Sequence, residues 1–195
     1  MASNNLGLIM IILEGPDNSG KTTLANVINE AIGLPIVHPG GAPKNELEEL
    51  RCLKQQFEDA KRNIIQDRVT CISQSVFNIF RENSKCNPIY GTYLRQMLST
   101  EFCFIVYCRP PIDKMLEFNN HEIKLHDTPE HIQLVEHNQK FIIGAYDSLF
   151  SHIPHIHYDY TSVKSKEVLG KIFDANYIYD VWYKLNLNRG PYDHR

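Results

Sequence analysis

The sequence lacks a long apolar run, a paired-cysteine motif and a strong charge of either sign. Each lack removes a class of protein. The longest apolar stretch, Leu6 to Leu13, is about half of what a membrane span needs. The chain does not open on a basic flank, an apolar stretch and a small-residue cleavage site, so no leader segment is expected. The five cysteines (Cys52, Cys71, Cys86, Cys103 and Cys108) are odd in number and form no C-x-x-C, which argues against structural zinc. Reduced thiols in a cytoplasmic protein are the plain reading. A formal charge of −3 over 195 residues leaves no global basic footprint for a long nucleic-acid duplex. There is no internal repeat and no Pro/Gly/Ser-rich linker, so residues 1–195 read as a single domain. The composition, 43% hydrophobic and 22% charged, is enough for a real core.

What is present alternates. Leu8–Leu13 is a short apolar run bounded by glycine, the pattern of a strand buried on both faces. Thr22–Ile32 has helical spacing and stops at Gly33, and Leu34–Val37 reads as a second strand ending in HPGGAP. Lys44–Arg62 is charged and free of Gly and Pro, so a helix is expected. A strand around Asn63–Gln66 leads into Asp67-Arg68, and helices are expected over Cys71–Glu82 and Tyr93–Ser99. Phe102–Cys108 (FCFIVYC) is the clearest buried strand, closed by RPP. Thr128-Pro129 reads as an N-cap followed by Pro at the first position of a helix running to about Phe150. His155–Tyr158 is a last strand, and Ser165–Leu185, with the lone Trp182, is mostly helical.

Strands alternating with helices imply an α/β fold: a parallel sheet of about five strands with helices on both faces, in three layers. Ligands of such sheets bind at the carboxyl ends of the strands. EGPDNSGKTT, HPGGAP, DR and RPP all fall at such ends.

Gly15 to Thr22 fits G-x-x-x-x-G-K-T, the phosphate-binding loop. Backbone N–H groups freed of side-chain bulk by Gly15 and Gly20 can surround phosphate oxygens, and the following helix adds its positive end. The nucleotide-binding residues are therefore Gly15, Asn18, Ser19, Gly20, Lys21, Thr22 and Thr23. Lys21 would reach the β- and γ-phosphates of ATP, and the Thr22 hydroxyl is placed to hold Mg²⁺. Asp67, at the end of a strand, is the second candidate for the metal, through its water shell. Arg68 aims a cation at the same crevice, and Arg109 at the end of the central strand is a candidate transition-state cation, or else a salt bridge to an acidic helix. A GTPase would add an N-K-x-D guanine signature, which is missing.

The sequence resembles the thymidylate kinases, a branch of the nucleoside monophosphate kinases, within the P-loop kinase fold. Glu14-Gly15-Pro16-Asp17 looks like the family's E-G-x-D opening, Pro39–Pro43 (PGGAP) is similar to its P-G-G-T-P turn, and Asp67-Arg68 with Ser73 resembles D-R-Y-x-x-S-S. FIVYCRPP takes the place of the strand that ends in D-V-P-P. The resemblance covers about residues 7 to 111. It implies that Asp17 hydrogen-bonds the sugar of a monophosphate acceptor and that Arg68 binds its phosphate. It further implies that Arg51 grips the acceptor, that Phe57 stacks on its base and that Ser73 meets the base edge. Each of these three has a bland alternative: a surface cation, a core ring and a plain helical serine. A lid is implied around residues 112–128, with Lys124 as its cation; dimers are common among relatives, so a homodimer is possible. Residues Tyr158–Thr161 follow the strand after which relatives often contact adenine.

The chain departs from the family at several places. Val37 stands where bacterial members have an arginine, Asn18 occupies the loop, and no arginine occurs between Arg109 and Arg189. The acceptor base therefore stays open, and compact divergent kinases of this kind resemble those encoded by phages. Of the nine histidines, His121, His126 and His131 are spaced so that they cannot share one helix face, and His155 with His157 has no third ligand nearby. No metal beyond Mg²⁺-nucleotide is expected.

The resulting expectation is an ATP- and Mg²⁺-dependent deoxynucleoside monophosphate kinase with no membrane partner. Lys21, Asp17, Arg109 and Asp67 would carry the chemistry. Two alternatives stay open. One is a kinase for a hydroxyl of a nucleoside or of a modified base in DNA, such as 5-hydroxymethyluracil, with Asp17 as base and nucleic acid as a partner. The other is a nucleotide-binding regulator without turnover.

Overall fold

The computed structural model describes residues 10–38, 40, 42–81, 89–98, 103–118 and 129–174. The lid positions His121, Lys124 and His126 lie outside them, as do Cys86, Thr128 and Trp182.

Five strands, β1 (Met10–Glu14), β2 (Ile36–Val37), β3 (Ile64–Asp67), β4 (Cys103–Cys108) and β5 (Ile156–Tyr158), form one sheet in the order β2-β3-β1-β4-β5. Every pairing is parallel. The two strands with the purest apolar runs take the middle: β1 and β4 are buried at every residue and pair from Met10↔Cys103 to Glu14↔Tyr107. A strand with both faces covered needs continuous apolar sequence, and these two have it.

Among the described residues seven helices connect and flank the strands: α1 (Lys21–Ile32), α2 (Glu46–Asp59), α3 (Thr70–Phe77), α4 (Tyr90–Leu98), α5 (Ile112–Phe118), α6 (Pro129–Phe150) and α7 (Ser165–Phe173). Leu24, Ala25 and Ile28 of α1 join Val168 and Ile172 of α7 over one face of the sheet, against Ile11, Leu13 and Val106. Leu53 of α2, Ile72 and Phe77 of α3, Met97 of α4 and Tyr146 of α6 cover the other, against Ile12 and Ile105. The three-layer α/β architecture read from the sequence is the one observed. Among the described residues no helix is long and apolar enough to cross a membrane.

Local chemistry sets the element ends. Helix α2 begins at Glu46, two residues after the expected start. Asn45 accepts from the Glu48 N–H at 2.9 Å, and Glu48 reaches back to the Lys44 N–H at 2.7 Å, a reciprocal cap worth about 1 kcal/mol. Helix α5 covers the first part of the segment given above as a possible lid, and residues 119–128 of that segment lie outside the described ones. The segment after Pro110-Pro111 folds as a short helix and buries Met115 completely.

Candidate active site

The phosphate loop turns out of β1 at Gly15, whose φ is +146°. A Cβ there would stand 2.3 Å from the carbonyl oxygen of Cys108 on the neighbouring strand, so glycine is obligatory. Asn18 adopts φ +61° and Gly20 φ +85°, so the loop curls back and presents its backbone before α1 begins at Lys21. At Gly20 a Cβ would meet the Tyr160 ring at 2.9 Å, which brings the segment after β5 against the start of α1. Ser19 is fully buried, while Thr22 and Thr23 are exposed at the head of the helix.

Lys21 is buried, and its ammonium lies inside the loop. It donates to the carbonyls of Gly15 (3.0 Å) and Pro16 (2.5 Å) and to Ser19 Oγ (3.2 Å). Burial, and then the neighbouring Arg68 guanidinium, lower its pKa to about 8 against the opposing pull of Asp17 and Asp67. A polyanion placed here would relieve that strain on the charged form.

Opposite the loop stands a side-chain network built over long sequence separations. Glu14 ends β1 as a fully buried carboxylate. It accepts from the Val69 N–H at 2.6 Å, from Ser73 Oγ at 3.2 and 3.4 Å, and from the Tyr146 hydroxyl at 3.4 Å. Gln56 of α2 accepts from the Thr70 N–H at 2.8 Å. The first N–H groups of α3, for which Val69 offers no side-chain cap, are thereby satisfied from β1 and α2. Burial raises the Glu14 pKa to about 7, although Arg68 and the Val69 N–H favour the charged form.

Arg68 lies between β3 and α3 with φ +73°, a conformation that a side-chain-bearing residue adopts rarely. Its N–H donates to the Leu13 carbonyl at 2.9 Å, and the Val69–Glu14 bond follows directly, so the strand pairing itself holds the turn. The guanidinium is directed onto Asp17 of the phosphate loop, where the two form an ion pair. Burial lowers the Arg68 pKa, but Asp17, Tyr146, Glu14 and Asp67 outweigh it, and the net shift is upward. Asp67, one residue earlier, lies 3.2 Å from Nδ1 of His38, at the end of β2.

Of the residues picked out from sequence, Gly15, Asp17, Asn18, Ser19, Gly20, Lys21, Thr22, Thr23, Asp67, Arg68 and Ser73 are gathered at the carboxyl end of β1 and β3. Ser73 has a partner in Glu14. Phe57 packs against the core, edge-on to Tyr93 with ring centroids 6.4 Å apart. Arg51 lies on the exposed face of α2, away from Leu53 and Gln56 on its buried side. Arg109 is held in a two-pronged ion pair with Asp147 of α6, 2.9 and 3.0 Å, and Asp147 also accepts from Tyr107 at 2.6 Å. The salt-bridge alternative for Arg109 is the arrangement found. His155 and His157 meet the Tyr107 ring edge-on.

Sequence reasoning gave Glu14 no role beyond its place in the motif and missed the His38–Asp67 pair. The signal for Glu14 was available, an acid at the end of an otherwise wholly apolar strand. Nothing local in the sequence pointed to the His38–Asp67 pair, because β2 and β3 are joined through α2.

The donors present fit a nucleotide carrying a hard cation: the exposed Thr22 hydroxyl, the Asp67 carboxylate and a cradle of backbone N–H groups with Lys21 inside it. Among the described residues no group of three or more His, Cys, Asp or Glu side chains could hold a metal unaided, so nucleotide phosphates would have to complete its shell.

No protein-family model matches the sequence, and no curated protein matches it. Solved structures do. The YorR protein of Bacillus subtilis, in complex with phosphorylated GDP, superposes with a TM-score of 0.62 at 17% identity, over 91% of this chain and 96% of that one. A gluconokinase from Sinorhizobium meliloti gives 0.52 at 14% identity, over 93% and 98% of the two chains. A deoxyadenosine kinase from M. mycoides with bound dATP gives 0.50 at 17% identity, over 91% and 100%. The fold is that of the P-loop kinases.

Proposed function

We propose that this chain is an ATP- and Mg²⁺-dependent deoxynucleoside monophosphate kinase of the thymidylate kinase type. The observation that carries the reading is the Asp17–Arg68 ion pair, which stations a fixed cation and a carboxylate at the lip of the phosphate loop. A phosphate acceptor brings its own negative charge and needs no base; it needs a cation to hold it in line with the donor.

In the transfer, an oxygen of the acceptor phosphate forms a bond to Pγ of ATP. The bond from Pγ to the β,γ-bridging oxygen breaks, and ADP leaves. Gly15 to Thr22 would cradle the donor phosphates, with Lys21 turning from the Gly15 and Pro16 carbonyls onto their oxygens. Thr22 and Asp67 would hold Mg²⁺, which supplies charge neutralisation on the transferring group. Arg68 would grip the acceptor phosphate, while Asp17 accepts from the acceptor sugar and keeps Arg68 oriented. Arg109, paired to Asp147, would contribute only after exchanging that partner.

A hydroxyl acceptor is the second reading. It is favoured by the Asp17 carboxylate beside the loop, which is the right group for taking a proton from a hydroxyl. The test is ADP release from Mg·ATP with purified protein across dTMP, dUMP, 5-hydroxymethyl-dUMP, dGMP, dCMP and dAMP, the matching nucleosides, and an oligonucleotide containing 5-hydroxymethyluracil. Turnover of one or two monophosphates at about 1 s⁻¹ or faster supports the first reading. Turnover of the nucleosides or the oligonucleotide alone, abolished by Asp17→Asn, supports the second. ATP binding with no turnover of any acceptor would leave a nucleotide-binding regulator.

A further inference from the structure

Arg81 follows α3 by four residues and has an unusual setting for a cation. It is half-buried, and its partners are two carboxamide oxygens: it donates to Gln74 and, at 3.3 Å, to Asn78. Among the described residues no carboxylate pairs with it, and burial alone pushes its pKa down. Its guanidinium carbon lies 5.7 Å from the centroid of the Phe77 ring. The Arg68 guanidinium carbon lies 5.4 Å from the same centroid. One buried aromatic ring therefore carries two guanidiniums: Arg68 is neutralised by Asp17, while Arg81 pairs with no carboxylate among the described residues.

Holding an arginine half out of water without an acid costs free energy, and the cost is met when an anion binds. The surroundings fit a ligand more than a structural pair. Gln74 is itself buried and fixes the guanidinium through a neutral oxygen, which brings no charge to offset it. On the same side of the sheet, Gln56 Nε2 is buried without a partner, as are both polar atoms of Gln66. Gln66 pairs in register with Ile12, which packs in the core on the Arg81 side of the sheet. These are donors in excess of acceptors.

We propose that Arg81 is a second cation of the acceptor site, acting with Arg68 across Phe77, so that the acceptor is selected for its anionic phosphate over the corresponding uncharged nucleoside. The inference rests on the monophosphate kinase reading and sharpens it. It assigns the discrimination against nucleosides to a residue outside the phosphate loop and outside the Asp67-Arg68 turn.

The experiment compares wild type, Arg81→Gln and Arg81→Lys. It reads KM for the best monophosphate from the acceptor panel, KM for ATP, and the ratio of monophosphate to nucleoside affinity by calorimetry with ADP present. Arg81→Gln is expected to raise the acceptor KM about tenfold or more and to cut the affinity ratio equally, with the ATP KM unchanged. Arg81→Lys keeps the charge without the planar fork, and is expected to recover part of the loss. The lysine variant carries the same test if the glutamine variant does not fold. An affinity ratio equal to wild type in the variants, or an equal rise in both KM values, overturns the proposal. Failure of the underlying reading looks different: the wild type itself then turns over no monophosphate.

Discussion

The two halves of the candidate site are built in different ways. The donor half, Gly15 to Thr23, is a single stretch of chain whose geometry is set by backbone: glycines at φ +146° and +85°, and a lysine that folds onto its own loop. The half proposed to take the acceptor is assembled from side chains far apart in sequence. Glu14 reaches Val69, Ser73 and Tyr146, Arg68 reaches Asp17, and Gln56 caps α3. A backbone device can be recognised from a short motif and tolerates drift elsewhere. A side-chain network can be re-specified one residue at a time, which suits a site that must distinguish acceptors.

The contrast predicts separable defects. The largest is expected on the donor side: Lys21→Ala should lower kcat by about 10³-fold or more, since it removes the cation set within the phosphate cradle. Steady-state kinetics with the preferred acceptor checks this, and a variant within tenfold of wild type would break the assignment. Next comes Arg68→Gln, expected to cost about 10²-fold in kcat/KM for the acceptor, with ATP affinity retained, through loss of a charge-assisted contact and release of Asp17. Equal losses for both substrates would erase the distinction between the halves.

Gly15→Ala addresses the scaffold. A Cβ placed 2.3 Å from the Cys108 carbonyl, in a backbone conformation disfavoured for L-residues, should destabilise the fold by about 3 kcal/mol. Chemical denaturation measures it, and an unchanged midpoint would mean that the loop is not packed against β4.

The smallest effect concerns Glu14. Its folded-state pKa, about 7, is raised from 4.5, so the folded chain retains a proton that the unfolded chain releases between those values. Its contribution to stability is therefore fully present below pH 4.5 and declines as pH rises toward 7. The melting temperature of wild type minus that of Glu14→Gln, which cannot titrate there, should fall with increasing pH across that window. A difference that stays constant with pH, or rises, would contradict the assignment.

The same contrast explains what the sequence disclosed. The fold class followed from β1 and β4, because a strand buried on both faces must be apolar throughout, and from the phosphate loop that ends β1. Helix α5 left no mark in the sequence, because seven residues behind Pro110-Pro111 give too little periodicity. Arg109 invited a catalytic role from its place at the end of β4, but its partner Asp147 stands 38 residues later within a helix, and no spacing rule connects the two. Glu14 and Gln56 went unassigned for a related reason. Their partners are supplied by packing between α2, α3, α6 and the sheet, and side-chain pairing of that kind leaves no periodic trace.

The central claim is that the acceptor half holds a phosphate in line with the donor. Its most direct test is the fate of the transferred group. ATP labelled with ¹⁸O in the γ-phosphoryl would be turned over with the preferred monophosphate and the product examined by mass spectrometry with fragmentation. The account predicts a deoxynucleoside diphosphate with the label confined to its β-phosphoryl group. Label on a sugar or base hydroxyl, or released as inorganic phosphate without any acceptor product, would contradict it.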